Sequence, residues 1–94
     1  MGLTLAEKII ARAAGHAKVS PGDIVTCAVD LAMIHDSGGP RRVKPILDRL
    51  GVKIWDPDKV VLITDHYVPA TDDESRNIQR VTKEFVAAQR LANF

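Results

Sequence analysis

Cysteine is nearly missing from this sequence, with Cys27 the only one among 94 residues. A single thiol excludes an internal disulfide framework and any metal or cluster site built wholly from this chain's cysteines. Long apolar runs are missing too. A membrane-spanning helix needs about 18 or more uninterrupted apolar residues, and no such run occurs. Excess charge of one sign is also lacking, since 13 Lys and Arg oppose 12 Asp and Glu for a formal +1. That balance gives no general electrostatic case for nucleic acid or an anionic membrane as partner. Met1-Gly2-Leu3-Thr4 lacks the basic-then-apolar build of a secretory signal, so a cytoplasmic protein is expected. What is present is apolar: 46% of residues, more than a disordered chain of this charge would carry.

The patterning predicts an α/β fold. Thr4-Leu5-Ala6-Glu7 reads as a capping box, and Leu5, Ile9 and Ala13 recur at four-residue spacing ahead of Gly15. A first helix is therefore expected at about 5–14. Ser20-Pro21-Gly22-Asp23 suits a type II turn. The apolar run Ile24 to Val29 follows and predicts a strand at about 24–29, covered on both faces and ending at Asp30. Val43, Ile46, Leu47 and Leu50 give one face of a helix at about 41–50, which Gly51 can stop. Pro45 either lies in the first turn of that helix or kinks it. Val60 to Ile63 predicts a second buried strand at about 60–64, completing a βαβ crossover. Thr71-Asp72-Asp73-Glu74 reads as another capping box. It opens a helix at about 72–92 with Ile78, Val81, Phe85, Ala88 and Ala92 along one stripe. Two parallel strands with three helices make an incomplete three-layer architecture. Residues 1–94 are thus expected to be the opening part of a larger α/β domain, with bare sheet edges that favour self-association.

Ligand sites in open parallel sheets lie beyond the carboxyl ends of the strands. Asp30, His35 and Asp36 follow the first expected strand, and Asp65 and His66 follow the second. A carboxylate beside an imidazole can orient it and stabilise its protonated form, which suits proton transfer near neutral pH. Asp65-His66 is one candidate pair, read otherwise as a strand end starting a loop; His35-Asp36 is a weaker second, read otherwise as a solvated loop. His16 reads as a helix-end residue meeting the last carbonyls. His16, His35 and His66 lack the close spacing usual in zinc sites, so no metal site is expected in the chain. Cys27, placed mid-strand, reads as a small buried hydrophobe. Gly38-Gly39-Pro40 matches no phosphate-loop pattern. Arg41, Arg42 and Lys44 form a basic cluster, read either as a solvated helix start or as a contact for an acidic partner.

The ordered motifs Thr4 to Ile9, His16, Pro21 to Val25, Val29-Asp30, His35-Asp36, Val60 to His66 and Gln79 to Phe85 resemble the aconitase family. The match is to the N-terminus of the large subunit, nearest the isopropylmalate dehydratase and homoaconitase branch, and it spans the whole chain. The resemblance implies a hydro-lyase acting on a hydroxy di- or tricarboxylic acid, with a 4Fe-4S cluster held by three cysteines. It places Asp65 and His66 on the family's acid pair, with His66 protonating the leaving hydroxyl, and His35 near a substrate carboxylate. The cluster cysteines and a serine base lie outside these 94 residues in the family, and Cys27 matches none of those cysteines. The chain alone is therefore expected to bind no cluster and to be inactive. Its partners would be the substrate, the remainder of the large subunit and, in some family members, a small subunit. Ser37-Gly38-Gly39-Pro40 departs from the Thr-Ser-Pro type of many relatives, which leaves the exact acid open. The competing expectation is a non-enzymatic α/β module that self-associates or binds a protein partner.

Overall fold

The computed structural model describes residues 2–94. The chain forms two compact units, one running to Asp30 and the other Leu31–Phe94. In the first, α1 (Leu5–Ala14) begins with the expected capping box: the Thr4 hydroxyl accepts from the Glu7 amide at 3.2 Å, and the Glu7 carboxylate accepts from the Thr4 amide at 2.7 Å. These bonds satisfy donors that a helix start otherwise leaves unpaired. Gly15 ends α1 at φ +70°, a left-handed conformation that glycine adopts without a Cβ penalty. Ser20 to Asp23 forms the expected turn, closed by Asp23 N–H to the Ser20 carbonyl at 3.1 Å, with Gly22 at φ +94°.

The run 24–29 is not a strand. It has no sheet partner, Ile24 is fully exposed and Val29 is more than half exposed. Cys27 accordingly lies off any strand, half-buried, its thiol 3.8 Å from the Ile10 carbonyl. Apolar content identifies a segment that can be buried, but a strand also needs a neighbour for its amides and carbonyls. The helical stripe is only partly covered as well: Leu5 and Ile9 are exposed, whereas Ala11 and Val19 are buried.

In the second unit, β1 (Ala32–His35) pairs in parallel with β2 (Val60–Ile63), in the register Ala32 to Val60 through His35 to Ile63. α2 (Gly39–Leu50) connects them, followed by a 3-10 turn at Pro57–Lys59, and α3 (Asp73–Gln89) follows β2. The expected βαβ crossover is therefore present, with its first strand eight residues later than predicted. Helix α2 starts at Gly39, so Pro45 lies in its interior, and Gly51 stops it at φ +66°. Gly39 is a packing glycine: a Cβ there would lie 2.0 Å from Ile34 Cγ2, so α2 sits closer to β1 than any side chain would allow.

Asp72, not Thr71, caps α3 and accepts the Ser75 amide at 2.7 Å. The helix ends at Gln89, short of the expected 92, with Arg90 left-handed at φ 58°. Beyond it the chain returns along the sheet, where Asn93 bridges Val61 and its carbonyl accepts the Leu62 amide at 2.9 Å. β2 is thus flanked on both edges, which accounts for the burial of Val60 and Leu62. Phe85 and Leu91 complete the core, against which Ile34, Val43, Leu47, Ile54 and Val86 pack. Ile78 and Thr82 are also buried on α3. No described helix is long and apolar enough to cross a membrane.

Candidate active site at the carboxyl ends of the parallel strands

Because β1 and β2 are parallel, adjacent and in register, their carboxyl ends open on one rim. His35 is the last residue of β1, Asp36 follows it, and Asp65 and His66 lie just beyond the end of β2. The two sequence pairs, separated by thirty residues, form one cluster. The Asp36 amide donates to the Ile63 carbonyl at 3.2 Å, extending the ladder one step past the strand. In return the Asp36 carboxylate accepts the His66 amide at 3.2 Å. The His35 and His66 rings stack with centroids 4.6 Å apart and planes 18° from parallel.

His66 Nδ1 lies 2.5 Å from Asp65 Oδ1 and 3.5 Å from Asp36 Oδ1. Donating its ring N–H to the Asp65 carboxylate raises the His66 pKa above its ordinary value, against an opposing effect of burial, and the nearby Asp65 and, to a smaller extent, Asp36 charges add to the rise. The same bond to His66 lowers the Asp65 pKa. With Nδ1 turned to carboxylates, Nε2 is the nitrogen left to exchange a proton. The pair is half-exposed, so a small molecule can reach it.

Other side chains hold the surrounding loops. Gln79 on α3 donates to the Tyr67 carbonyl at 2.6 Å. Arg41 donates to the Ser37 carbonyl at 2.7 Å and lies 5.9 Å from the centre of the Tyr67 ring. Of the basic cluster, Lys44 is paired with Asp48 on α2. Asp30 closes the first unit and follows no strand, the first strand being Ala32–His35. His16 lies just past α1, with its amide on the Ala11 carbonyl at 2.9 Å.

Asp36 is the residue that sequence reasoning undervalued. It is fully buried, not part of a solvated loop, and its Oδ2 and His35 Nδ1 are buried without a partner. The available signal was its symmetry with Asp65-His66, a His-Asp pair at one strand end facing an Asp-His pair at the other. His35, Asp36 and His66 each offer a ligand atom within 4.8 Å of the others, the one described grouping able to hold a metal ion. The near-parallel stack works against that use, because in-plane lone pairs on two stacked rings cannot both aim at one ion. A 4Fe-4S cluster of the three-cysteine type has no site here, as Cys27 is the only cysteine.

A parallel strand pair with an Asp-His couple on its carboxyl rim defines an α/β segment with a candidate acid–base pair. Comparison with known proteins narrows the class. The chain is 43% identical over its full length to the large subunit 1 of 3-isopropylmalate dehydratase from Methanopyrus kandleri. It is 42% identical, over 97% of its length, to a probable methanogen homoaconitase large subunit from Methanothermobacter thermautotrophicus. It is 41% identical, over 92% of its length, to the 3-isopropylmalate dehydratase large subunit of Aquifex aeolicus. No family model matches. The chain is thus a relative of the isopropylmalate dehydratase and homoaconitase large subunits, and it spans about a fifth of their length (20–22%).

Proposed function

We propose that this chain is the acid-bearing segment of a hydro-lyase large subunit acting on a hydroxy di- or tricarboxylic acid of the isopropylmalate or homocitrate kind. The observation that carries this reading is the 2.5 Å His66–Asp65 contact on the sheet rim, in a chain similar over its whole length to such subunits. In the dehydration direction, protonated His66 gives its Nε2 proton to the departing hydroxyl as the carbon–oxygen bond breaks, and water leaves. Asp65 holds the ring and stabilises its charge. In hydration His66 takes that proton back from water. His35, stacked on His66, is placed to meet a substrate carboxylate.

The base for the carbon-bound proton and the cysteines for a 4Fe-4S cluster would come from the rest of the large subunit, with a small subunit as a further partner. The segment is therefore inactive by itself. In a complete enzyme carrying this segment, His66→Ala is expected to lower turnover by about 10²–10⁴, the usual contribution of a positioned acid. Unimpaired turnover would end the assignment.

The other reading, a self-associating binding module, draws on exposed Leu5, Ile24, Met33 and Trp55. Such side chains mark contact surfaces when they are contiguous. Light scattering of the purified chain together with an activity assay of the complete enzyme separates the two. A stable defined oligomer, with no activity attributable to the segment, would favour the module.

A further inference from the structure

We infer that Asp36 is the positioning residue of His66, fixing its backbone and holding a buried negative group beside its ring. This role rests on His66 being the acid of the proposed reaction. Three groups face the imidazole: Asp65 from its own loop, Asp36 from the end of β1, and the stacked ring of His35. The two carboxylates differ in surroundings. Asp65 is half-exposed and its attraction is weakened by water and salt. Asp36 is completely buried, where screening is weak and an unpaired carboxylate is costly.

A buried carboxylate is retained at a cost unless its neighbours use it, and Asp36 has two uses on one oxygen. Oδ1 accepts the His66 amide at 3.2 Å and lies 3.5 Å from Nδ1. The first contact sets where the residue leaves the sheet rim, and the second bears on where its ring points. Asp36 is itself held by its amide on the Ile63 carbonyl, so the anchor is part of the β1–β2 ladder. Asp65, in contrast, is adjacent to His66 in the chain and lies on the same loop. A carboxylate fixed to the sheet can hold the ring in register with His35, which a loop carboxylate cannot do alone.

The test is an imidazole NMR titration of His66 in the isotopically labelled 94-residue chain, with hydrogen exchange of the His66 amide measured in parallel. In Asp65→Asn, a surface change, the His66 titration falls as its hydrogen-bonded partner is lost, but protection of the His66 amide and the ring shift caused by stacking on His35 are expected to persist, because Asp36 still holds the residue. In Asp36→Asn, the amide oxygen can still accept the backbone N–H, so exchange protection stays. The imidazole titration falls below that of the wild-type chain, and the ring shift caused by stacking on His35 weakens. Loss of the stacking shift and of amide protection in Asp65→Asn would overturn the inference, and that variant does not depend on Asp36→Asn folding. So would an Asp36→Asn chain whose His66 titration and ring shifts match the wild type. These readouts report the state of the ring, not turnover. Unimpaired His66→Ala turnover would remove the acid reading while leaving the Asp36–His66 linkage standing.

Discussion

The Asp36 carboxylate accepts the backbone amide of His66 at 3.2 Å across thirty residues of chain, tying the exit of β2 to the end of β1. Two dipeptides that are separate in sequence thereby act as one group of four side chains. Its consequences for ionisation, packing and stability can be measured.

Asp65 raises the His66 pKa chiefly through their hydrogen bond. Under the proposed mechanism dehydration uses protonated His66, so its rate should fall as pH rises through the His66 value. Asp65→Asn should move that limb to lower pH and leave residual activity well above that of His66→Ala. A pH–rate profile of the complete enzyme checks this, and an unmoved limb would deny Asp65 its role.

The same pair links stability to pH. Folding raises the His66 pKa, so its contribution is full below the unfolded value and is lost as pH rises through the folded one. Folding lowers the Asp65 pKa, so its contribution is present above the unfolded value and is lost as pH falls through the folded one. The pair should therefore support stability most between about pH 4 and 6.5, the ordinary values of the two groups. Thermal melts of the wild-type chain and Asp65→Asn across pH 3 to 9 should differ most inside that window. The pair is exposed, so added salt should shrink the difference.

Gly39 leaves no room for a side chain, with Ile34 Cγ2 lying 2.0 Å from where a Cβ would stand. Ile34 is β-branched and stiff, so it cannot easily swing aside. Gly39→Ala should cost about 1–3 kcal/mol, as overpacking does, despite the better helix propensity of alanine. Combining it with Ile34→Ala should give a loss smaller than the sum of the two in denaturant unfolding.

Leu62 is buried in the core between the two flanked edges of β2. Leu62→Ala should cost about 2–5 kcal/mol, the usual range for a leucine cavity. Ile24, which the apolar run 24–29 placed in a buried strand, is fully exposed. Ile24→Ala should leave the unfolding midpoint of the chain unchanged. A large loss there would mean that the segment is buried after all.

Local features were readable because their causes lie within a few residues. The Thr4–Glu7 capping box, the left-handed Gly15 and Gly51, and the turn at Gly22 follow from side chains that bond or bend their own neighbourhood. β2 was legible because Val60 to Ile63 is continuously apolar and three of its four residues are β-branched. The first strand was misplaced for the opposite reason. Ile24 to Val29 is the stronger apolar run, yet Ala32 to His35 is the segment that pairs with β2. The cap on α3 was misassigned by one residue because Thr71 and Asp72 are both competent caps, and only geometry chose Asp72.

By itself, then, the sequence determined the start and stop of α1, the Gly51 stop of α2, the α/β character, and the presence of an Asp-His couple beside an apolar strand. It also determined that one cysteine cannot make a three-cysteine site. Tertiary structure alone decided that His35, not Asp30, ends the first strand, that Asp36 is buried, and that His35 stacks on His66. Strand pairing and carboxylate burial depend on residues about thirty positions apart, and neither composition nor periodicity carries information over that distance.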